Sequence, residues 1–331
     1  MSTELGGDLR FSRARRVAGS VWVRLFVTLA LLGIVASRID WAIVGQRLGH
    51  GHPVDFAIAV LLVLCSLVVG AYRWRGLLAA AGVNLSPSQL ARAYAVSTFS
   101  GTFLPTTVGG DVTRTLLVVR RGPLLLKVVV SVVVDRAGGL LGLIGIAWLA
   151  LALRPSSVPK HAGSFLVWAT AAVGFCCLAV IGCALRSPRR VARILPERLV
   201  RPAGQAVSVL RDYARNPRLV VLVIGSSLVF QALVALQLVF LGRAINVHLP
   251  FATAAVALAL VTIVTLIPVS IGGFGVREGT YVILLGGASI GATDATLISV
   301  LSVATLFLVS LPGALLLARG GIAPALRDAA P

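Results

Sequence analysis

The sequence predicts an all-α polytopic membrane protein, with about six transmembrane helices and two re-entrant broken hairpins in an inverted-topology repeat. Three observations lead to this prediction: the large share of apolar residues, the uneven placement of arginines, and two matching interruptions by proline and glycine. Hydrophobic residues make up 58% of the 331 residues and charged residues only 12%. A soluble domain is about 45–50% apolar and about 25% charged. The net charge of +19 is therefore not attributed to nucleic-acid binding.

Six apolar segments are long enough to cross a hydrocarbon core of roughly 30 Å. They are residues 20–37, 54–72, 126–152, 163–185, 219–241 and 293–318. The first segment follows a basic N-terminal arm, but no clean small-residue cleavage site follows Ala36. We therefore interpret it as a retained span rather than a signal peptide, and we treat residues 1–331 as a single membrane domain.

The arginines orient the predicted spans. The connection 186–218 contains nine arginines, and basic connections of membrane proteins stay in the cytoplasm. The N-terminal arm and the C-terminal segment are also basic. We therefore expect a multi-pass protein of the inner (cytoplasmic) membrane with both termini in the cytoplasm. Anionic lipid head groups would be attracted to the same basic surface.

Two further apolar stretches, 91–120 and 251–287, are interrupted near their middle by matching residues. Proline removes a backbone donor, and a glycine pair permits a sharp reversal. The residues at identical offsets, 163 positions apart, are Pro105, Gly109 and Gly110 in the first stretch and Pro268, Gly272 and Gly273 in the second. Two ordinary proline-kinked spans are the alternative to a pair of re-entrant hairpins.

Pairing these interruptions divides the chain into two halves, 1–153 and 163–320, that have the same order of segments. The first half starts from the cytoplasm and the second from outside, which predicts an inverted-topology repeat. Matching proline and glycine interruptions in two such halves point to the binding site of a transporter. The residues after each glycine pair begin a helix, and a helix N-terminus attracts anions.

Three acidic residues at membrane depth are each accompanied by an arginine. Charges within a membrane are costly and usually line a functional cavity. The predicted substrate-binding residues are Asp111 with Arg114, Asp135 with Arg136, and Glu278 with Arg277. We expect the arginines to bind a phosphate head group, and the carboxylates to orient them or to carry a proton. A purely structural role is the alternative.

Other polar residues carry weaker signals. Arg73 and Arg75 end the second span, where we expect both side chains to extend to the interface. The cysteines and histidines lack the spacing of zinc ligands or disulfides. The sequence therefore predicts no metal site, no cofactor and no catalytic residue.

Four motifs occur in an order that resembles one known family. They are Arg73-Trp-Arg75, then Phe103-Leu-Pro105 with Gly109-Gly110-Asp111 and Arg114, then Asp135-Arg136-Ala-Gly, and finally Ile267-Pro268 with Gly272-Gly273 through Gly275-Val-Arg277-Glu278. The chain thus resembles the lysylphosphatidylglycerol synthase transmembrane-region family, whose members are flippase-like. The resemblance implies translocation of lipid. The cytoplasmic aminoacyl-transferase domain of two-domain relatives is not in this sequence, so we expect no enzyme activity.

The leading hypothesis is therefore a flippase-like transporter that moves an amphipathic, phosphate-bearing lipid between leaflets. The alternatives are a membrane enzyme or a scaffold in lipid-linked sugar or aminoacyl-lipid metabolism. The expected partners are membrane lipids and, for the scaffold, a lipid-modifying enzyme or glycosyltransferase.

Overall fold

The computed structural model describes residues 29–30, 33–34, 37, 40–103, 109–119, 122, 124–154, 162–171, 197–266, 270 and 273–320. Every regular element within these ranges is helical. The helices with defined bounds are α1 Trp41–Gly49, α2 Pro53–Ala80, α3 Pro87–Phe103, α4 Gly109–Val118, α5 Leu124–Leu153, α6 Ala162–Ala171, α7 Glu197–Arg215, α8 Pro217–Ala244, α9 Phe251–Thr265, α10 Val276–Gly286 and α11 Ala292–Gly320.

Four helices are long and apolar enough to cross a membrane, namely α2, α5, α8 and α11. They coincide with four of the predicted spans, those at 54–72, 126–152, 219–241 and 293–318. Each has 28 to 30 residues, or roughly 42–45 Å at 1.5 Å per residue. The predicted spans at 20–37 and 163–185 lie largely outside the described residues, so the total of six stays a prediction.

Each of the two interrupted stretches forms two separate short helices. Helix α3 ends at Phe103 and α4 begins at Gly109, whereas α9 ends at Thr265 and α10 begins at Val276. These four helices have 10 to 17 residues, about 15–26 Å, and are too short to cross a core of roughly 30 Å. The two helices of each pair pack against each other. Pro105, Pro268 and Gly272 lie outside the described residues.

Glycines serve the two helix pairs in different ways. In the second pair, Gly273 and Gly275 have φ values of 75° and 81°, a region that favours glycine. In the first pair, Gly110 lies so close to α3 that an added Cβ would be 2.5 Å from the Ser97 carbonyl oxygen and 3.1 Å from Gly101 Cα. The Ser97 hydroxyl also donates to the Gly110 carbonyl at 2.8 Å. The predicted glycine pair therefore permits a close approach of two backbones.

Helices α2 and α8 run antiparallel over their full length. The backbone N–H of His52, just before α2, donates to the Ala244 carbonyl at the last residue of α8 at 2.9 Å. At the other end, Leu77 packs with Leu219 and Val223 near the start of α8. The structure thus gives opposite directions to the second long helix of each predicted half.

The other two long helices, α5 and α11, also run in opposite directions. Helix α5 runs parallel to α8, since Gly142 lies against Ser227 and Gly145 against Leu228. Helix α11 runs antiparallel to α8, because the Gln237 amide donates to the Thr305 hydroxyl at 2.6 Å while Gly242 lies near Ile298. Helices α5 and α11 therefore also have opposite directions.

The short helices pack reciprocally between the two halves. Helix α3 of the first half lies against α11 of the second, and α9 of the second lies against α5 of the first. Residues 252–261 of α9 are all buried, which places this helix inside the bundle. Each predicted half therefore packs a short helix against a long helix of the other half.

Candidate functional site

A carboxylate at the start of α4 receives two guanidinium groups. Asp111 lies in the first turn of α4 and is buried, where the partial positive charge of a helix N-terminus favours an anion. Arg136 on α5 donates to it through Nε at 2.7 Å and Nη2 at 3.1 Å. Arg114, one turn further along α4, contributes Nη2 at 2.9 Å. Asp111 is therefore held between Arg114 and Arg136, the latter in a two-point contact.

The second carboxylate of the site lies on α5. Asp135 accepts a hydrogen bond from Arg114 Nη1 at 2.9 Å and one from Arg73 Nε at 2.6 Å. Arg73 also donates from Nη1 to the Ser227 hydroxyl on α8 at 2.9 Å. These contacts form a continuous chain, hereafter the charge network, in the order Arg136, Asp111, Arg114, Asp135, Arg73 and Ser227.

Aromatic rings support two of the buried arginines. The guanidinium carbon of Arg114 lies 4.9 Å from the centroid of the Trp74 ring, and that of Arg73 lies 5.6 Å from the Phe230 ring. Cations attract ring faces at these distances. The Trp74 indole donates to the Ser131 hydroxyl at 3.1 Å, which fixes the ring. These rings help to hold the arginines in a region where water is scarce.

The charge network has an excess of one positive charge, because three guanidinium groups face two carboxylates. The Arg73, Arg114 and Asp135 side chains are at most 5% exposed, whereas that of Arg136 is 63% exposed. The Nε of Arg114 is buried and has no hydrogen-bond partner among the residues that the structure describes. Uncompensated charge is costly in an apolar setting, so the network favours an anion, and Arg136 is where an anion can reach it.

Glu278 and Arg277 lie at the start of α10, in the second helix pair. The buried Glu278 accepts a hydrogen bond from the Gly275 backbone N–H and one from the Ser299 hydroxyl at 3.3 Å. The Arg277 guanidinium lies 5.5 Å from the Phe274 ring centroid. The structure thus brings Asp111, Arg114, Asp135 and Arg136 together, and it gives Glu278 the role of a helix cap. That all six residues bind substrate stays a prediction.

The interpretation of Arg73 as an interfacial side chain is wrong. Arg73 is buried against Asp135 of the neighbouring helix, while Arg75 is exposed as expected. A carboxylate at the same depth turns the guanidinium inward instead of toward water. The sequence could have indicated the burial of Arg73, since the small residues Ser66 and Gly70 precede it at helical spacing and share its buried face. Ser227 and Trp74 were missed because neither carries a charge.

A neutral contact connects α8 with α11, whereas an ion pair connects α2 with α5. Arg73 and Asp135 connect α2 with α5, the long helices of the first half. Helices α8 and α11, the long helices of the predicted second half, are connected by Gln237 and Thr305, both buried. Each of these two helix pairs therefore has a buried polar contact, and only the first contact is charged.

The long apolar helices and the buried charge network define a multi-pass membrane protein of the helical class. Residues 21–313 match the model of the family described as the lysylphosphatidylglycerol synthase TM region. The chain belongs to this family, as its motifs predicted, and membership implies a function connected with membrane lipids. Comparisons with curated proteins and with solved structures give no significant match.

Proposed function

We propose that this protein translocates an amphipathic, phosphate-bearing lipid between the two leaflets of the cytoplasmic membrane. The supporting observation is the charge network, which carries one excess positive charge and exposes a single guanidinium, that of Arg136. A phosphate oxygen is a strong acceptor for such a group. The lipid tails can remain in the bilayer while the head group occupies the network.

The surroundings of Arg136 suit a lipid. The side chains of Val133 and Leu141 on α5 and of Val112 on α4 are more than half exposed. The first two lie on either side of Arg136 in the sequence, and Val112 follows Asp111, the partner of Arg136. Exposed apolar residues on a membrane helix face lipid tails. A head group can therefore reach Arg136 sideways from the bilayer, with its tails along the apolar face of α5.

The proposed movement is a rocking of two inverted repeats. Each short helix pair would enter and leave the membrane on one side as a re-entrant hairpin, and the halves would alternate between two orientations. The opposite directions of equivalent long helices support this proposal. The nine arginines of segment 186–218 support an orientation in which this segment and both termini lie in the cytoplasm.

A leaflet-specific assay tests the proposal. Purified protein would be reconstituted into vesicles containing fluorescent phosphatidylglycerol, and a membrane-impermeant reductant would report which leaflet holds the probe. Replacing Arg136 by Gln removes one charge-assisted contact of about 1.5–3 kcal/mol, so translocation should fall about 10- to 100-fold. Arg136→Lys should retain part of the rate.

Two controls separate this result from general damage. Arg154 is exposed at the opposite end of α5, and Arg154→Gln should translocate normally. Arg277→Gln examines the second helix pair, where loss of transport would include Arg277 in the site. Equal rates for Arg136→Gln and the unaltered protein would contradict the proposal.

A further inference from the structure

Helix α7 is anchored to the bundle through one narrow face. Val209 and Tyr213, one helical turn apart, are buried against the last turn of α2 and the first turns of α5 and α8. The Tyr213 hydroxyl donates to the Leu77 carbonyl at 2.8 Å. Leu77 follows Arg73 by four residues in α2, so α7 is held at the basic end of the bundle, close to the charge network.

The apolar face of α7 is wider than this contact. Leu210 and Ala214 are exposed and Val207 is only partly buried, and on a helical wheel they continue the arc that begins at Val209 and Tyr213. An apolar arc that extends past its protein contact, at the level where helices leave a membrane, is suited to lipid tails. Helix α7 therefore has the features of a helix lying in the membrane interface.

The opposite face of α7 is basic. Arg201, Arg211 and Arg215 are exposed, and at 100° per residue their positions fall within an arc of about 80°. This arc is centred nearly opposite to Tyr213. Among residues 201–215, Asp212 is the one acidic residue. Arg218, in the first turn of α8 that follows α7, is also exposed.

We propose that α7 lies in the membrane interface and that its arginine face binds anionic phospholipid head groups of the surrounding leaflet. Each basic side chain near a membrane surface contributes to the attraction of anionic lipid, and three on one arc act together. This surface is separate from the charge network, and its ligand is lipid that stays in its leaflet rather than lipid in transit.

Local lipid enrichment tests this proposal. A fluorophore would be attached to Ser208→Cys, within the basic arc, in full-length protein whose four native cysteines are replaced. Quenching by brominated phosphatidylglycerol would be compared with quenching by brominated phosphatidylcholine at equal mole fraction. We expect a quenching ratio well above one at low salt, and a fall toward one in 0.5 M salt because the Debye length shortens.

Substitutions assign the effect to charge. The combined change Arg201→Gln, Arg211→Gln and Arg215→Gln should bring the ratio close to one, since each arginine contributes about fivefold at low ionic strength. The corresponding triple change to Lys should retain the enrichment, which shows that α7 still docks. Arg154→Gln at the other end of the bundle should leave the ratio unaltered.

Two outcomes would overturn the proposal. One is an unchanged ratio in the triple Gln protein. The other is a ratio of one in the unaltered protein, which would make an acidic soluble protein the better partner for this face. Neither outcome bears on translocation, because Arg136 is intact in every variant.

Discussion

Arg73 and Asp135 meet at 2.6 Å between α2 and α5, and both side chains are only 5% exposed. The same carboxylate receives Arg114, so Asp135 compensates two buried cations. Asp135→Asn would leave Arg73 without a counter-charge and Arg114 with Asp111 alone. We expect a loss of about 3–5 kcal/mol in the free energy of unfolding, measured by SDS titration of protein in mild detergent.

A second ion pair provides the comparison. Arg47 and Asp294 are 3.0 Å apart, and their side chains are 33% and 15% exposed. Asp294→Asn should cost no more than about 1 kcal/mol, because solvent screens the pair. Equal losses for the two substitutions would show that burial of the charge network does not set its strength.

The close approach of α3 and α4 gives another prediction. In Gly110→Ala the new Cβ would overlap the Ser97 carbonyl and contact Gly101 Cα, and both are backbone atoms that cannot move aside easily. Such overpacking costs about 1–3 kcal/mol. Thermal unfolding in detergent should therefore begin at a lower temperature.

Gly279 is the matched control, since it is also a glycine near the start of the second helix of its pair. No atom lies within 4 Å of a Cβ added there. Gly279→Ala should be neutral or should stabilise the protein by up to about 1 kcal/mol, because alanine favours the helix. If both alanines were tolerated equally, the close packing of α3 and α4 would be refuted.

The docking of α7 should depend on pH at strongly alkaline values. Burial raises the pKa of Tyr213 to about 12, from 10.0 for an unperturbed tyrosine. The hydroxyl must be protonated to donate to the Leu77 carbonyl. Its contribution is therefore complete below pH 10, declines as the undocked tyrosine ionises, and is lost as the pH rises through about 12.

Tyr213→Phe should remove this pH dependence. It should also weaken the docking of α7 on the bundle by about 1 kcal/mol at neutral pH. Hydrogen exchange of the α7 amides at neutral pH measures the cost of the substitution, and the phenolate absorbance of both proteins from about pH 9 to about pH 13 measures the pH dependence. A phenolate difference centred at pH 10 would contradict the buried position of Tyr213.

The orientation of the bundle can be tested with single cysteines in a cysteine-free background. His50 and Ser208 are exposed at opposite ends of the long helices. With the basic end in the cytoplasm, His50→Cys should react with an impermeant thiol reagent in intact cells. Ser208→Cys should react only after the membrane is permeabilised, and the reverse pattern would invert the proposed topology.

Local rules were sufficient to predict much of this fold. Four long helices follow from apolar segments of the right length, and the breaks after Phe103 and Thr265 follow from glycine and proline chemistry. The sequence could not predict the contacts of Asp135 with Arg73, because they join residues 62 positions apart on helices whose relative rotation depends on packing. Spacing alone associated Asp135 with its neighbour Arg136, which instead contacts Asp111.

The role of Glu278 was beyond sequence reasoning for a related reason. The sequence placed Glu278 beside Arg277 at membrane depth, which predicted a substrate-binding residue. The structure uses the carboxylate to accept from the Gly275 amide, because a helix that begins after a left-handed glycine needs an acceptor for its first N–H groups. Asp111 and Glu278 thus lie at similar places in the two helix pairs, but Asp111 pairs with arginines and Glu278 caps its own helix.

The neutral contact between Gln237 and Thr305 has a consequence for stoichiometry. If the two halves descend from one duplicated unit, they have kept their shape while their electrostatics diverged. The described part of the chain then holds one buried charge network rather than a symmetric pair. In protein whose Arg201, Arg211 and Arg215 are replaced by Gln, a titration with a phosphate-bearing lipid should accordingly saturate at one molecule per chain.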